Sequence, residues 1–404
     1  MIRKATNIGF AAGNNVGATA ATGDSLVFLN DDTRVRPDWL IELVGTARRR
    51  GAAAVASCIL DWSGKKSDFV GGAVNFQGKG FQLEYDAPAD SFAREEKPLL
   101  FACGCAMLVD RAVFMDAGQW DEGTFAYYED VELGWRLNLL GHAIWFAPRA
   151  VVCHKHHGTS GRWPEPPRIR LYERNSLRMV YELLELPSLA RALPAALLLA
   201  ADRALLSTAL SRATDVPTAL AAPVRLTKRV VSSTKAALRG RGGTRRTPVA
   251  QALARLGIRG LLGVARDVLV PRRVMRTPEP RAAYLIERAM PATFDEVQFE
   301  SLPIEAAAML SGIYGFLADL PALTRRRSDV QRRRRSTDLE TVSRFGSHWR
   351  QACPARFQGE HDELHAMLID ELALGEVEST AIASTDEHTE LAEMRIRGSR
   401  SADL

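Results

Sequence analysis

The chain has 404 residues, 46% hydrophobic and 25% charged, with a formal net charge of +5. That length allows a large core and either two domains or one domain with an extension. The composition is that of an ordinary globular chain, which excludes a wholly disordered protein and a membrane bundle.

The first predicted element spans residues 7–21. Gly9, Gly13 and Gly17 stand four apart and good helix formers follow. This spacing predicts a helix with one small-residue face, packed closely on a sheet or lying beside a bound ligand. No Gly-Lys-Ser/Thr follows, so it is not a P-loop, and the segment is too polar for a membrane dimer face. Gly23-Asp24 then turns into Leu26-Val27-Phe28-Leu29, an uninterrupted apolar run that predicts a strand buried on both faces. It delivers Asn30, Asp31 and Asp32 at its carboxyl end, where open α/β sheets keep their ligands. Oxygen donors there suit a hard divalent ion, Mg2+ or Mn2+, that also holds phosphates. The plainer alternative is a strand followed by an acidic turn.

Pro37-Asp38 opens a predicted helix that ends in Arg48-Arg49-Arg50-Gly51. A strand follows over residues 52–60, completing a βαβ unit and predicting parallel pairing. Residues 64–98 read as loop with a short hairpin. Residues 99–109 read as a strand carrying Cys103-Gly104-Cys105. That pair could bind zinc with Cys153, His154, His156 and His157, but the Cys-x-x-Cys spacing is absent and small buried cysteines are the preferred reading. Next, aromatic residues lead into Glu129-Asp130 at the start of a helix running to about Leu140, stopped by Gly141. Acidic residues favour a helix start through its dipole, and a carboxylate there is also placed to act as a general base. The strand over residues 143–152 delivers His154 near the level of Asp32, so a shared metal is an expectation.

The second half changes to Leu, Ala and Arg. Helical apolar spacing marks residues 168–186, 189–210, 249–270 and 302–320, with a Gly/Arg-rich linker over 239–247. No stretch is read as the roughly eighteen apolar residues of a membrane span. Arg325, Arg326, Arg327, Arg332, Arg333, Arg334 and Arg335 crowd into residues 321–335 against Asp329 alone, and residues 359–404 carry twelve Asp or Glu against three Arg. Such asymmetry predicts a basic surface facing anions, an anionic membrane surface among them, with a solvated charged helix packing on its own domain as an equal alternative. Nucleic acid is not expected, since no aromatic platforms interleave with the arginines. Five cysteines without framework spacing, and no apolar core after Met1-Ile2-Arg3-Lys4, point to a cytoplasmic protein, peripheral on the inner membrane face if the basic surface is used.

Four motifs in order resemble the family 2 glycosyltransferases of the GT-A fold, rhamnosyltransferase-like members in particular. They are Asn7 to Asn15, Gly23-Asp24, Asn30 to Asp32, and Gly118 through Arg136, with His154 following Asp130 by 24 residues. The resemblance covers roughly residues 5–160. It implies an α/β, Rossmann-like and mostly parallel sheet followed by a helical extension. Family members open with a further strand, helix and strand that help form the nucleoside pocket, so the domain is expected to be incomplete at its N-terminus. The expected organisation is a transferase domain over 1–162, a helical extension over 163–345 and an acidic, partly disordered tail over 346–404.

The activity implied is inverting transfer of a sugar from a UDP- or dTDP-linked donor to a hydroxyl of a glycan or lipid-linked acceptor, in cell-envelope or surface-polysaccharide synthesis. By the same resemblance Asp130 is the catalytic base with Glu129 beside it. Asp32 and His154 hold a divalent metal. Asn7, Gly9, Asn14, Asn30 and Asp31 lie on the donor side, and Trp120, Asp121 and Trp135 on the acceptor side. Two rival readings stand beside this one: an inactive paralogue acting as a partner or scaffold, and a basic nucleic-acid-binding module.

Overall fold

The computed structural model describes residues 2–92, 94–155, 165–207, 303–345, 348–351 and 358–374. The expected helix over 249–270, the linker over 239–247, His156, His157 and the acidic stretch after 374 lie outside the described residues. In chain order the first elements are α1 (Phe10–Ala20), β1 (Ser25–Leu29), β2 (Thr33–Val35), α2 (Trp39–Arg50), β3 (Ala54–Asp61) and β4 (Ser67–Phe69). Then come β5 (Gly72–Val74), β6 (Gly80–Gln82), β7 (Pro98–Leu99), β8 (Ala106–Asp110), α3 (Arg111–Asp116), a single 3-10 turn (Glu122–Thr124), α4 (Glu129–Leu139) and β9 (Ile144–His154). The helical part comprises α5 (Glu165–Leu183), α6 (Leu186–Leu206), α7 (Ile304–Arg333), α8 (Asp338–Phe345) and α9 (Gln358–Glu371).

The chain is α/β. Its main sheet has the order β1-β8-β3-β9-β2, with β4 on the side of β3 and β7 on β9. β3 pairs parallel with β9, while β8 pairs antiparallel with both β1 and β3. β1, β3 and β9 therefore run in one sense, and β3–β9 is the one parallel pairing among the described strands of this sheet. The strand–helix–strand unit β1-α2-β3 does not pair directly, however, because β8 is inserted between its two strands. Pro148 cannot donate to the ladder, and β9 shifts its register on β3 between Ala147 and Val151.

β1 departs from the expected two-sided burial. Leu26 and Phe28 are buried, whereas Val27 and Leu29 are 40% and 44% exposed. The strand is thus covered on the Leu26 and Phe28 face alone, and it also ends the described sheet. The expected strand over 99–109 is interrupted: β7 ends at Leu99, β8 starts at Ala106, and Cys103-Gly104-Cys105 forms the turn between them. α2 matches its signals, with Asp38 at the N-cap and Gly51 at φ 58 after the last turn. Trp39 on its inner face donates to Ser57 Oγ at 2.8 Å, which fixes α2 on β3.

The helical part packs onto this sheet domain through one continuous core that includes Leu177, Val180, Leu199, Phe316 and Leu323. α7 lies along α5, and Gly312 permits the approach: a Cβ there would sit 2.8 Å from Arg170 O. By length and composition α7 is the one described helix able to cross a membrane, which corrects the expectation that no such stretch exists. The helix runs on through Pro321, ten residues and more beyond its expected end. Its buried side, with Ala306, Ala308, Phe316 and Leu323, faces the rest of the protein.

The arginine run follows the second of its two readings, a charged helix packing on its own domain. Arg327 donates to the carbonyls of Tyr181 (2.5 Å) and Leu184 (2.6 Å), and Arg334 to that of Leu183 and to Asp338 (2.9 Å). These cations cap the C-terminal end of α5, where the helix dipole and open carbonyls favour them. Arg326 enters a buried carboxylate cluster and Arg333 pairs with Asp116. Four of the seven arginines are thus engaged inside the fold, and only Arg325, Arg332 and Arg335 are left exposed.

Candidate functional site

The carboxyl ends of β1, β3 and β9 converge on one edge of the sheet. β2 returns along β9 so that Thr33 stands opposite His154, and β3 places Asp61 opposite the same histidine. Asp32 lies just before β2, and its main-chain oxygen accepts the N–H of Lys155 at 3.0 Å. His154 Nε2 thereby comes 3.3 Å from Asp32 Oδ1. On the other side of the ring, Nδ1 lies 2.8 Å from Asp68 Oδ2 on β4. Burial disfavours a charged ring, but the Asp68 hydrogen bond and the charges of Asp68 and Asp32 outweigh it, and the His154 pKa is raised. Gln82 Nε2 donates to Asp68 Oδ1 at 3.0 Å and fixes that carboxylate in turn.

Asp32 Oδ1 is buried, and its partner among the described residues is His154 Nε2 at 3.3 Å. A buried carboxylate oxygen is costly unless a cation or donor meets it. Among the described residues no group of three or more His, Cys, Asp or Glu surrounds a single point. Two protein ligands, with diphosphate oxygens and water making up the rest, are a set that Mg2+ or Mn2+ accepts.

The second half of the site reaches the first through the Cys103–Cys105 turn. Asn30 N–H donates to Cys105 O at 2.8 Å, while Gly104 N–H donates to Asp130 Oδ2 at 3.0 Å. Val131 N–H donates to Asp130 Oδ1 at 2.9 Å, and the Cys103 thiol adds a further hydrogen bond. Burial pushes the Asp130 pKa up against these donors. Glu129 has no such help: its Oε2 is buried without a partner, and burial together with the Asp130 charge pushes it up to about 8. Two carboxyls this close do not both ionise readily, and the better-solvated one carries the charge. Its donors make Asp130 the more readily ionised of the two, and burial with the Asp130 charge makes Glu129 the more readily protonated.

On the far side, Asn7 Oδ1 accepts the Gly9 N–H at 2.9 Å, an Asx turn that opens α1. Gly9 has φ 87, and a Cβ there would lie 2.5 Å from Phe125 O, so the position requires glycine.

Residues 2–182 match the family described as Glycosyltransferase like family 2. That segment, somewhat under half of the chain, is similar to this family. Over 159 residues the chain is 33% identical to the O-antigen biosynthesis protein RfbC of Myxococcus xanthus, covering 38% of this chain and 12% of that protein. It is 29% identical over 163 residues to a pre-mycofactocin glycosyltransferase of Mycobacterium tuberculosis, covering 38% and 32%. It is 39% identical over 69 residues to an N-acetylglucosaminyl-diphospho-decaprenol L-rhamnosyltransferase of the same organism, covering 17% and 22%. The chain thus spans a third or less of the length of each of these relatives. A crystal structure of GalNAc-T7 with UDP, GalNAc and Mn2+ aligns over 48% of this chain and 39% of that one, with 18% identity and a TM-score of 0.36.

Within the glycosyltransferase segment, the residues expected on the acceptor side are interior. Trp120 is 1% exposed and packs edge-on to Phe28 with a centroid distance of 5.0 Å. Asp121 is 4% exposed and accepts from Arg178 Nη2 at 2.5 Å. Trp135 is 3% exposed and meets Trp349 edge-on at 6.4 Å. An aromatic and acidic run reads equally well as a sugar platform or as core, and here its bulk fills the space beneath the sheet. Asn14 is partly buried and donates only to Phe10 O within α1. Its neighbour Asn15 is the buried one, clasping Trp120 through both main-chain groups at 3.0 and 3.1 Å. Asn30 and Asp31 lie at the site edge, Asp31 exposed. Sequence reasoning missed Asp68, which no motif flagged, and the role of the Gly104 N–H.

Among the described residues no zinc site is assembled. Cys103 and Cys105 are free thiols that hydrogen-bond to one another, which with burial raises the Cys103 pKa, and Cys153 lies on β9 near Cys58.

Proposed function

We propose that this chain acts as an inverting glycosyltransferase that moves a sugar from a nucleoside diphosphate donor, UDP- or dTDP-linked, to a hydroxyl of a glycan or lipid-linked acceptor in envelope or surface-polysaccharide synthesis, at the cytoplasmic side of the membrane. The observation that carries this reading is the buried Asp32 Oδ1 set 3.3 Å from His154 Nε2 at the carboxyl edge of the sheet. It is joined to a buried carboxylate pair by the Cys103–Cys105 turn.

Asp32 and His154 would hold a Mg2+ or Mn2+ ion, which when bound neutralises the leaving diphosphate. Asp68 orients the His154 ring so that Nε2 faces that ion. Asp130, its two oxygens held by the Gly104 and Val131 N–H groups, takes the proton from the acceptor hydroxyl as it attacks the anomeric carbon. The bond to the diphosphate oxygen breaks in the same displacement, so the anomeric centre inverts. Glu129 keeps its proton beside Asp130 and limits the negative charge at the acceptor side.

The test is calorimetric binding of UDP and dTDP, with and without Mn2+, to the wild type and to Asp32→Ala. Metal-dependent binding that disappears in the variant is the expected result. Wild-type protein that binds neither nucleotide in Mn2+ would overturn the reading and favour a partner or scaffold role.

A further inference from the structure

The five residues that lead into Glu129 and Asp130 have an unusual backbone. Phe125 (φ 64), Tyr127 (φ 67) and Tyr128 (φ 67) all take left-handed conformations. Bulky side chains resist that region, and three in four residues persist only where the surroundings hold them. Two sets of donors do so. From α1, the N–H groups of Phe10 and Ala11 donate to Phe125 O at 2.7 and 3.3 Å. From α5, Arg174 Nη1 donates to Gly123 O at 2.7 Å, and Asn175 Nδ2 lies 3.1, 3.0 and 2.7 Å from the carbonyl oxygens of Thr124, Ala126 and Tyr127.

Asn175 is fully buried. A single amide NH2 thus meets three carbonyls within four residues, with its two N–H groups shared among them. The clamp is braced from behind. Asp319 on α7 pairs with Arg174 at 2.5 Å and with Arg178 at 2.6 Å. Arg178 in turn holds Asp121, whose Oδ1 accepts the Gly123 N–H at 3.0 Å.

We propose that Asn175 is the positioning residue for Asp130: it locks residues 124–128 in their strained form and so seats α4 with Asp130 against the Gly104 N–H, and the α5–α7 helices brace it. This rests on the transferase reading above. The helical extension is then part of the active machinery and not an appended anchor. Asn175 acts through the backbone it holds, so its loss moves the base without touching the nucleotide side of the site.

The experiment compares wild type, Asn175→Ala and Asp319→Asn for Mn2+-dependent UDP and dTDP binding, and for nucleotide release from UDP-glucose and dTDP-rhamnose across pH. For Asn175→Ala the expected result is nucleotide affinity within about threefold of wild type and turnover down about 100-fold, the scale of a base displaced by about 1 Å. The acidic limb of the pH profile should also move upward, because Asp130 loses the Gly104 donor. A merely structural role lowers the folded fraction but leaves turnover per nucleotide-binding site and the acidic limb unmoved, and that result would overturn the proposal. If Asn175→Ala does not fold, Asp319→Asn reads the same clamp: a several-fold loss of turnover with the same limb shift is expected, and an unchanged profile overturns the proposal. Should the wild type turn over neither donor, the transferase reading falls separately. Amide hydrogen exchange then decides the clamp, with faster exchange over residues 124–131 in Asn175→Ala supporting it and unaltered exchange overturning it.

Discussion

Asp68 Oδ2 lies 2.8 Å from His154 Nδ1, and this turns the opposite nitrogen of the ring toward Asp32 Oδ1. A histidine held this way by a carboxylate is preset as a ligand, and removing such a partner typically costs about 10–100-fold in metal affinity. Asp68→Asn keeps the shape and weakens the hydrogen bond. It is expected to lower Mn2+-dependent nucleotide affinity by about tenfold or more, while metal-free binding stays as in the wild type. Calorimetry at fixed nucleotide and varied Mn2+ checks this, and an unchanged Mn2+ dependence would remove Asp68 from the site.

The pair Glu129 and Asp130 predicts how stability follows pH. Glu129 is held up to about 8 in the folded chain, first by burial and then by the Asp130 charge, against 4.5 when free. A raised folded-state value means that the folded chain binds the extra proton, so this stability is complete below about 4.5 and is lost as pH climbs through about 8. The wild-type melting temperature should therefore fall between pH 6 and pH 8.5. Glu129→Gln, neutral throughout, should show a smaller fall, and equal slopes would refute the assignment. In turnover, Asp130→Asn should lose about 10²–10⁴-fold, the usual weight of a general base, with nucleotide affinity retained.

Much of this site was legible because its residues are fixed by local chemistry. Asp32 and His154 close adjacent strand ends, and Glu129-Asp130 opens a helix, positions that strand and helix signals mark directly. The order of the strands was less legible: β1-α2-β3 reads as a parallel pair, but β8 enters between them from a distant part of the chain, and no local pattern encodes that insertion. Trp120 and Trp135 were misplaced because an aromatic residue carries the same signature in a core as on a binding surface. The arginine run left two readings open for a related reason. Charge density says nothing about partners, and the carbonyls of Tyr181, Leu183 and Leu184 that absorb it lie over 140 residues earlier.

Arg326 gives a stability prediction. Its side chain joins Glu182 at 3.0 Å, Glu132 at 3.5 Å and Asp121 at 3.7 Å, and all three carboxylates are nearly inaccessible. Even with this cation present, burial and then the charge of Glu132 push Glu182 up to about 7. Removing one partner of a buried ionic cluster leaves uncompensated charge, at a cost of about 3–5 kcal/mol. Arg326→Met is expected to lose stability on that scale in urea titration. The loss should be larger at pH 8.5 than at pH 5.5, where Glu182 can take a proton. Equal losses at the two pH values would mean that Arg326 does not serve to neutralise Glu182.

Gly13 and Gly17 test what α1 faces. The expected close packing of this glycine face is not found among the described residues: the buried positions of α1 are Ala11, Asn15 and Ala18, and a Cβ at Gly13 or Gly17 would meet nothing within 4 Å. Alanine is favoured over glycine inside a helix by about 1 kcal/mol. Gly17→Ala and Gly13→Ala should therefore raise stability by up to about that amount, which thermal melting measures. If the glycine face lies beside the nucleotide, the same substitutions reduce UDP or dTDP affinity although the fold gains stability. A variant that is both more stable and equally good at binding nucleotide would place the donor elsewhere on the sheet edge, away from α1.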